Sequence, residues 1–251
     1  MNRPRPVLLR DLAAIGPYFE LVADAEADVD VDAGWRPVGA LIERAEELAA
    51  VIDGVAARLG TAQRWIAASL FYQGWAARLT SIYAGSAVLF GGVPDLRAER
   101  VSYRLPPSGP VELSVAPQKE VGVLAGWRGL HDEHLIPLAD AIRRQVRIGR
   151  YLLLGNVGSA LAGSLAVLAD VGTEPLEALL GSDWAQPADL AAGGRWMPTS
   201  EGPRYARTTC CGYDQLDRGG RCGDCSLSWI GASWRGRARD GRAGQACRPW
   251  S

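Results

Sequence analysis

Lysine is almost missing from this chain. Lys119 is the single lysine among 27 basic residues, and the rest are arginine. With 28 acidic residues against those 27, the net charge is −1, so the strong basic excess of a dedicated nucleic-acid binder is absent. His131 and His134 are the only histidines. Long uninterrupted apolar runs are also lacking. Stretches such as "AGSLAVLADV" read as too short or too interrupted by charge to span a membrane. The N-terminal "MNRPRPVLLRDLAAIG" is broken by Asp11 and shows no small-residue cleavage site, which argues against a signal peptide. The expectation is a cytoplasmic protein whose thiols stay reduced.

What is present is enough for a core. The 251 residues are 48% hydrophobic, too apolar and too weakly charged for a disordered chain. The segment 20–34, "ELVADAEADVDVDAG", reads as an acidic surface linker, with "ADVDVD" as a possible edge strand. Over 37–59, Leu41, Leu48, Ile52 and Val55 recur at helical steps, Pro37 suits a first turn and Gly60 a stop. A second helix is expected over 61–90, opened by Thr61 as N-cap and apolar nearly all round, hence central. Val101, Tyr103 and Leu105 alternate, as do Val111, Leu113 and Val115, with "PPSGP" between them, the pattern of a hairpin. Further helices are expected from about 135 to 146 and over "RYLLLGNVGSALAGSLAVLADVG", with a short one at 175–180. The fold class is therefore α+β and mainly helical, with a β-hairpin and a C-terminal cysteine-rich loop. The organisation reads as an N-terminal helical segment with an acidic loop (1–60), a helical body (61–200), a cysteine motif (201–227) and a flexible tail (228–251).

Cysteine is scarce too, with five residues, but four fall in "TTCCGYDQLDRGGRCGDCSLSW". Cys210 and Cys211 are adjacent, and after ten intervening residues Cys222 and Cys225 form a C-x-x-C pair. The pair's turn carries Gly223 and Asp224, which suit a turn that aims two sulfurs at one metal centre. Adjacent side chains on an extended strand point to opposite faces, so Cys210 and Cys211 need irregular backbone, which Gly212 permits. Gly219 and Gly220 let the intervening loop fold back. Structural disulfides are disfavoured by the expected compartment. Spacing alone leaves a four-cysteine zinc site and an iron–sulfur cluster both open.

The stretch "CCGYDQLDRGGRCGDC" resembles the C-terminal signature of the FhuF-type ferric-siderophore reductase family, C-C-x10-C-x2-C. All four cysteines and the gap match; Ser226 stands where that family often has proline. More weakly, "LLLGNVGSAL" resembles its aromatic-Gly-Asn element, with Leu154 in place of the tryptophan, and "RWIAASLFYQGWAARL" its Ala/Ser-rich helix. The resemblance covers about 61–227. It implies a [2Fe–2S] cluster on Cys210, Cys211, Cys222 and Cys225, one-electron reduction of a ferric siderophore of hydroxamate type, and a ferredoxin or flavoprotein as electron donor. No nucleotide-binding glycine fingerprint is present, since "GNVGSALAG" falls inside a helical pattern. The alternatives are a siderophore-binding module clipped by zinc, and an iron–sulfur carrier or sensor.

Several other residues carry weaker expectations. From 195 to 251, ten arginines face five acids. Arg204, Arg207 and Arg221, close to the cysteines, are candidate docking or substrate contacts. His131 and His134 read as polar residues at a helix entrance, with His134 a conceivable proton relay. Asn156 reads as a buried amide bonded to backbone, or one that orients the cysteine loop. Cys247 reads as a free surface thiol, and Trp229 as a cover over the cluster.

Overall fold

A computed structural model of the chain describes residues 5–22, 34–115, 120–170, 193–197 and 204–227. The expectations for 27–32, 175–180 and 228–251, including Trp229, Cys247 and the distal arginines, lie outside them.

Helix α4 (Arg64–Phe90) organises the core. It is apolar on every side, and buried residues occur at nearly every position from Ile66 to Ala87. Around it pack α1 (Arg5–Ile15), α3 (Ala45–Leu59) and, most extensively, α7 (Arg150–Asp170), while α2 (Val38–Glu43) packs against α3. Leu48, Ile52 and Val55 form the buried stripe of α3, as their spacing requires. Gly60 closes that helix in the left-handed region (φ 65°). The expected helix over 37–59 is broken at Arg44, whose extended backbone (ψ 106°) separates α2 from α3. Pro37 forms β1 with Arg36 and stands just before α2. Thr61 does not cap α4 directly. Its Oγ1 accepts the Gln63 N–H at 3.1 Å, and the helix begins at Arg64.

The hairpin is present. Strands β2 (Val101–Arg104) and β3 (Glu112–Val115) pair antiparallel, with Val101 opposite Val115 and Tyr103 opposite Leu113. All four of those side chains are buried, so the alternation reported the core face. β1 adds to the other edge of β2, giving an antiparallel sheet of order β1-β2-β3.

The helix expected from 135 begins earlier. α5 (Val123–Leu130) runs through a π-helical turn (His131–Leu135) into α6 (Ile136–Gln145). Two glycines hid α5 from a propensity reading. Both are close-contact positions: a Cβ on Gly126 would collide with Val93 Cγ2, and one on Gly129 would meet Arg97 Cγ at 3.0 Å.

The π turn also corrects the reading of the histidines. Neither solvates a helix entrance. His134 is fully buried, with its Nδ1 2.7 Å from the Leu96 carbonyl and its Nε2 accepting Trp75 Nε1–H at 3.0 Å. These partners place the proton on Nδ1 and keep the ring neutral. His131 stacks on Trp127 and holds Asp132 Oδ1 at 2.7 Å. Burial pushes His134 down from 6.5 to about 4. Between those values the unfolded chain binds a proton that the folded chain does not, so stability is lost as pH falls from 6.5 toward 4. At roughly 1.4 kcal/mol per pKa unit, the full effect is ~3 kcal/mol. Urea unfolding at pH 7.5 and 4.5 should show this loss, and His134→Gln should flatten the slope. An unchanged slope in that variant would contradict the assignment.

Among the described residues, one helical stretch, Arg150–Ala169, is long and apolar enough to cross a membrane (hydropathy 1.8). The apolar run is longer than the sequence reading allowed, because no charge interrupts 151–169. Within the fold 61% of that window is buried, and its main partner is α4. Ser164 Oγ lies 3.1 Å from Thr80 Oγ1 and 2.9 Å from Ser81 Oγ between the two helices.

Candidate metal centre

Glycines on α7 bring the C-terminal strands against the helical core. Strands β4 (Gly194–Met197) and β5 (Arg204–Arg207) form an antiparallel pair that rests on this helix. A Cβ on Gly155 would meet the Gly193 carbonyl oxygen at 2.9 Å, and one on Gly158 would collide with Tyr205 Oη. Strand and helix backbones can approach so closely only because these positions have no side chain.

That approach places Arg207 beside Asn156. The Arg207 side chain is fully buried. Its Nη2 donates to Asn156 Oδ1, and its Nη1 to Gln73 Oε1 at 3.5 Å. Its Nε lies 3.8 Å from Asp224 Oδ2, an ion pair without a hydrogen bond. Asn156 Nδ2 in turn donates to the Ser69 carbonyl at 2.8 Å. The first expectation for Asn156 describes it, since it satisfies a buried backbone group, and it also holds Arg207 of β5. Arg207, expected among surface docking contacts, is interior instead. Arg221 is exposed, and Arg204 contributes its backbone to β5.

Beyond Arg207 the backbone turns sharply. Thr208 N–H bonds the Gly193 carbonyl at 3.0 Å. Gly212 sits in the left-handed region (φ 86°), and a Cβ there would strike Trp65 at 2.8 Å. This is the irregular backbone that the adjacent cysteines require. A short 3-10 turn (Tyr213–Gln215) follows, and Gly219 N–H returns to the Leu216 carbonyl at 2.8 Å. The loop folds back so tightly that a Cβ on Gly219 would collide with the Tyr213 carbonyl oxygen. Cys225 N–H bonds the Cys222 carbonyl at 3.1 Å, closing the C-x-x-C turn, and Arg207 N–H reaches the Asp224 carbonyl at 3.4 Å.

Along this path Cys211 comes within electrostatic reach of both Cys210 and Cys222. Hydrogen bonding from Cys210 first, then from Cys222, lowers the pKa of buried Cys211, with the Arg207 cation and the Tyr213 N–H acting in the same direction. Donation to Cys211, with burial added, raises the pKa of Cys210 and of Cys222. Cys210 also bonds Asp214 Oδ1 at 3.0 Å and accepts Gly212 N–H at 3.4 Å. Cys225 is buried, and Cys210 and Cys222 are half-buried.

Among the described residues no three His, Cys, Asp or Glu side chains are arranged to hold a single metal ion. The donor set nonetheless suits an anionic sulfur-ligated cluster. It offers four thiols in one loop, a buried guanidinium beside them, and backbone N–H groups of Gly212 and Tyr213 on the sulfurs. Of the seven buried side-chain polar atoms without a partner among the described residues, four belong to this motif: Arg207 Nε, Thr209 Oγ1, Asp224 Oδ2 and Ser226 Oγ. Three of these, Arg207 Nε, Thr209 Oγ1 and Ser226 Oγ, can donate, and unpaired buried donors are costly, so the loop has spare donors for a further acceptor. Sequence reading missed Gln73, Gly155 and Gly158; the one local signal was a Gly-Asn step in an otherwise apolar helix. No family model matches the chain, and no curated protein matches it significantly.

Proposed function

We propose that the chain belongs to the FhuF-type ferric-siderophore reductases and acts in the cytoplasm as a one-electron reductant. The observation that carries this reading is the C-C-x10-C-x2-C loop, in which Cys211 interacts with Cys210, Cys222 and the buried Arg207. Cys210, Cys211, Cys222 and Cys225 would hold a [2Fe–2S] cluster. When bound, such a cluster supplies a one-electron couple, taking an electron from a ferredoxin or flavoprotein and passing it to Fe(III). Hard oxygen ligands hold Fe(II) far less tightly than Fe(III), so one electron suffices to release the metal.

The chain's own residues supply ligation, charge and access. Arg207 places a fixed positive charge beside the sulfurs, and Asn156 and Gln73 keep its fork oriented. The Gly212 and Tyr213 amides donate to sulfur, which favours the more negative state. Half-burial of Cys210 and Cys222 leaves one side of the loop open to a partner, with exposed Arg221 nearby for an acidic donor protein.

Protein purified under low oxygen should be red-brown, bleach with dithionite, show an EPR signal when reduced, and contain equal iron and sulfide. Added ferric hydroxamate with a ferrous trap should then reoxidise it. Colourless protein carrying zinc would overturn the proposal.

A further inference from the structure

Ser226 is only 2% exposed, yet its hydroxyl has no hydrogen-bond partner among the described residues. It directly follows Cys225, which is itself buried, where the Cys225 N–H closes the C-x-x-C turn on the Cys222 carbonyl. We propose that the Ser226 hydroxyl donates a hydrogen bond to the sulfur of the iron–sulfur cluster and raises its reduction potential. The inference rests on the [2Fe–2S] reading and adds to it a residue that sets the potential without binding iron.

Serine ordinarily satisfies its hydroxyl on backbone groups close by in the chain. Ser226 makes no such bond, and a buried hydroxyl left unpaired is costly, where alanine at the same place would cost nothing. The other three orphaned atoms of the motif have neighbours that account for them. Arg207 Nε and Asp224 Oδ2 face each other at 3.8 Å as opposite charges. Thr209 Oγ1 lies against α7, 3.2 Å from where a Cβ on Gly155 would sit. Ser226 Oγ remains, a neutral donor next to a proposed ligand.

The thiolates and bridging sulfides of a two-iron cluster accept hydrogen bonds, and those bonds help to set its potential. The sulfides are acceptors that no polypeptide contains. An added electron makes the sulfurs more negative, and a hydrogen bond strengthens with the charge on its acceptor. A donated O–H therefore favours the reduced form and moves the potential upward. The N–H groups of Gly212 and Tyr213 act in this direction on Cys210 and Cys211. Ser226 supplies the same from the C-x-x-C half of the motif. A cavity of about 660 Å³ opens beside Cys222, Gly223 and Asp224, between the segment after α1, α4 and α7. Ser226 does not line it, so removal of the hydroxyl leaves that approach to the loop unchanged.

The test compares full-length wild type, Ser226→Ala and Ser114→Ala, all purified under low oxygen. Ser114, in β3 of the other sheet, carries the one further orphaned buried hydroxyl among the described residues, so it controls for the loss of such a group away from the cysteines. In an EPR-monitored redox titration, Ser226→Ala should change the one-electron equilibrium by about threefold or more, a fall of about 30 mV or more in midpoint. Ser114→Ala should keep the wild-type midpoint. Electron–nuclear double resonance of the reduced wild type should show a proton coupling that exchanges in D2O and is missing in Ser226→Ala. Chelator-treated Ser226→Ala should unfold in urea no earlier than chelator-treated wild type, because the polypeptide loses no bond. An unchanged midpoint in Ser226→Ala, an equal fall in Ser114→Ala, or earlier unfolding of chelator-treated Ser226→Ala would overturn the proposal. Iron and sulfide analysis with the reduction assay separates the two readings. Equal midpoints in cluster-bearing proteins that reduce ferric hydroxamate remove the role of Ser226 and leave the reductase standing. A lowered midpoint in Ser226→Ala, with no reduction of ferric hydroxamate by wild type, supports the hydroxyl and removes the reductase. Colourless wild type carrying zinc removes both.

Discussion

Cys211→Ser is expected to yield colourless, iron-poor protein whose reduction of ferric hydroxamate falls to the protein-free background. Cys211 is buried, it interacts with Cys210 and Cys222, and it lies in the field of Arg207. Removing a residue that merely supports a metal ligand typically costs roughly 10–100-fold in affinity or activity. On the proposed reading Cys211 is itself a ligand, so its removal should exceed that. Far-ultraviolet circular dichroism should stay near wild type, because the helical core from Leu12 to Leu168 is built without the cysteine loop. Cys210→Ser should be milder, since Cys210 is half-buried and its Asp214 contact can be kept by a hydroxyl. Iron and sulfide analysis with the reduction assay decides the matter. Full iron content in Cys211→Ser would remove the cysteine loop as the metal centre.

Arg207→Gln is expected to be the most destabilising change outside the apolar core. It leaves the Asn156 carbonyl oxygen and the Asp224 carboxylate buried beside no cation. Breaking a buried charge pair by removing one partner costs roughly 3–5 kcal/mol. The cost here should fall toward the lower end, because the Arg207–Asp224 contact at 3.8 Å lacks a hydrogen bond. Arg207→Lys keeps the charge but cannot reach Asn156 and Gln73 together, so it should recover part of the loss. The potential is a second, independent readout. Without the cation the more negative reduced state is less favoured, so the midpoint should move downward in Arg207→Gln and much less in Arg207→Lys. Urea denaturation and an EPR-monitored redox titration measure the two effects. An unchanged potential in both variants would reduce Arg207 to a purely structural role.

The sequence by itself determined the features that depend on near neighbours along the chain. Leu48, Ile52 and Val55 recur at helical steps and form the buried stripe of α3. The alternation of Val101 and Tyr103 with Leu113 and Val115 specified the hairpin and its inward face. The spacing of Cys210, Cys211, Cys222 and Cys225 marked the loop, and Gly212 and Gly219 its sharp turns. Local pattern misled where packing outweighed propensity. Gly126 and Gly129 lower helix propensity yet let α5 approach Val93 and Arg97, and the two histidines, read as solvated, are buried within a π turn.

Only the tertiary structure decided what meets across the fold. Arg207 finds Asn156 because Gly155 and Gly158 allow β5 onto α7, a contact between residues 51 positions apart. The cavity beside Cys222 exists because the N-terminal segment, α4, α7 and the cysteine loop stop short of one another, held by Arg78 on one side and by small residues on the other. Periodicity reports which face of an element is buried. It carries no information about which other element will cover that face, because that choice depends on shape complementarity between surfaces formed by distant residues. The cysteine motif could therefore be read along the chain, while the buried cation and the space beside it could be seen only in the packed molecule.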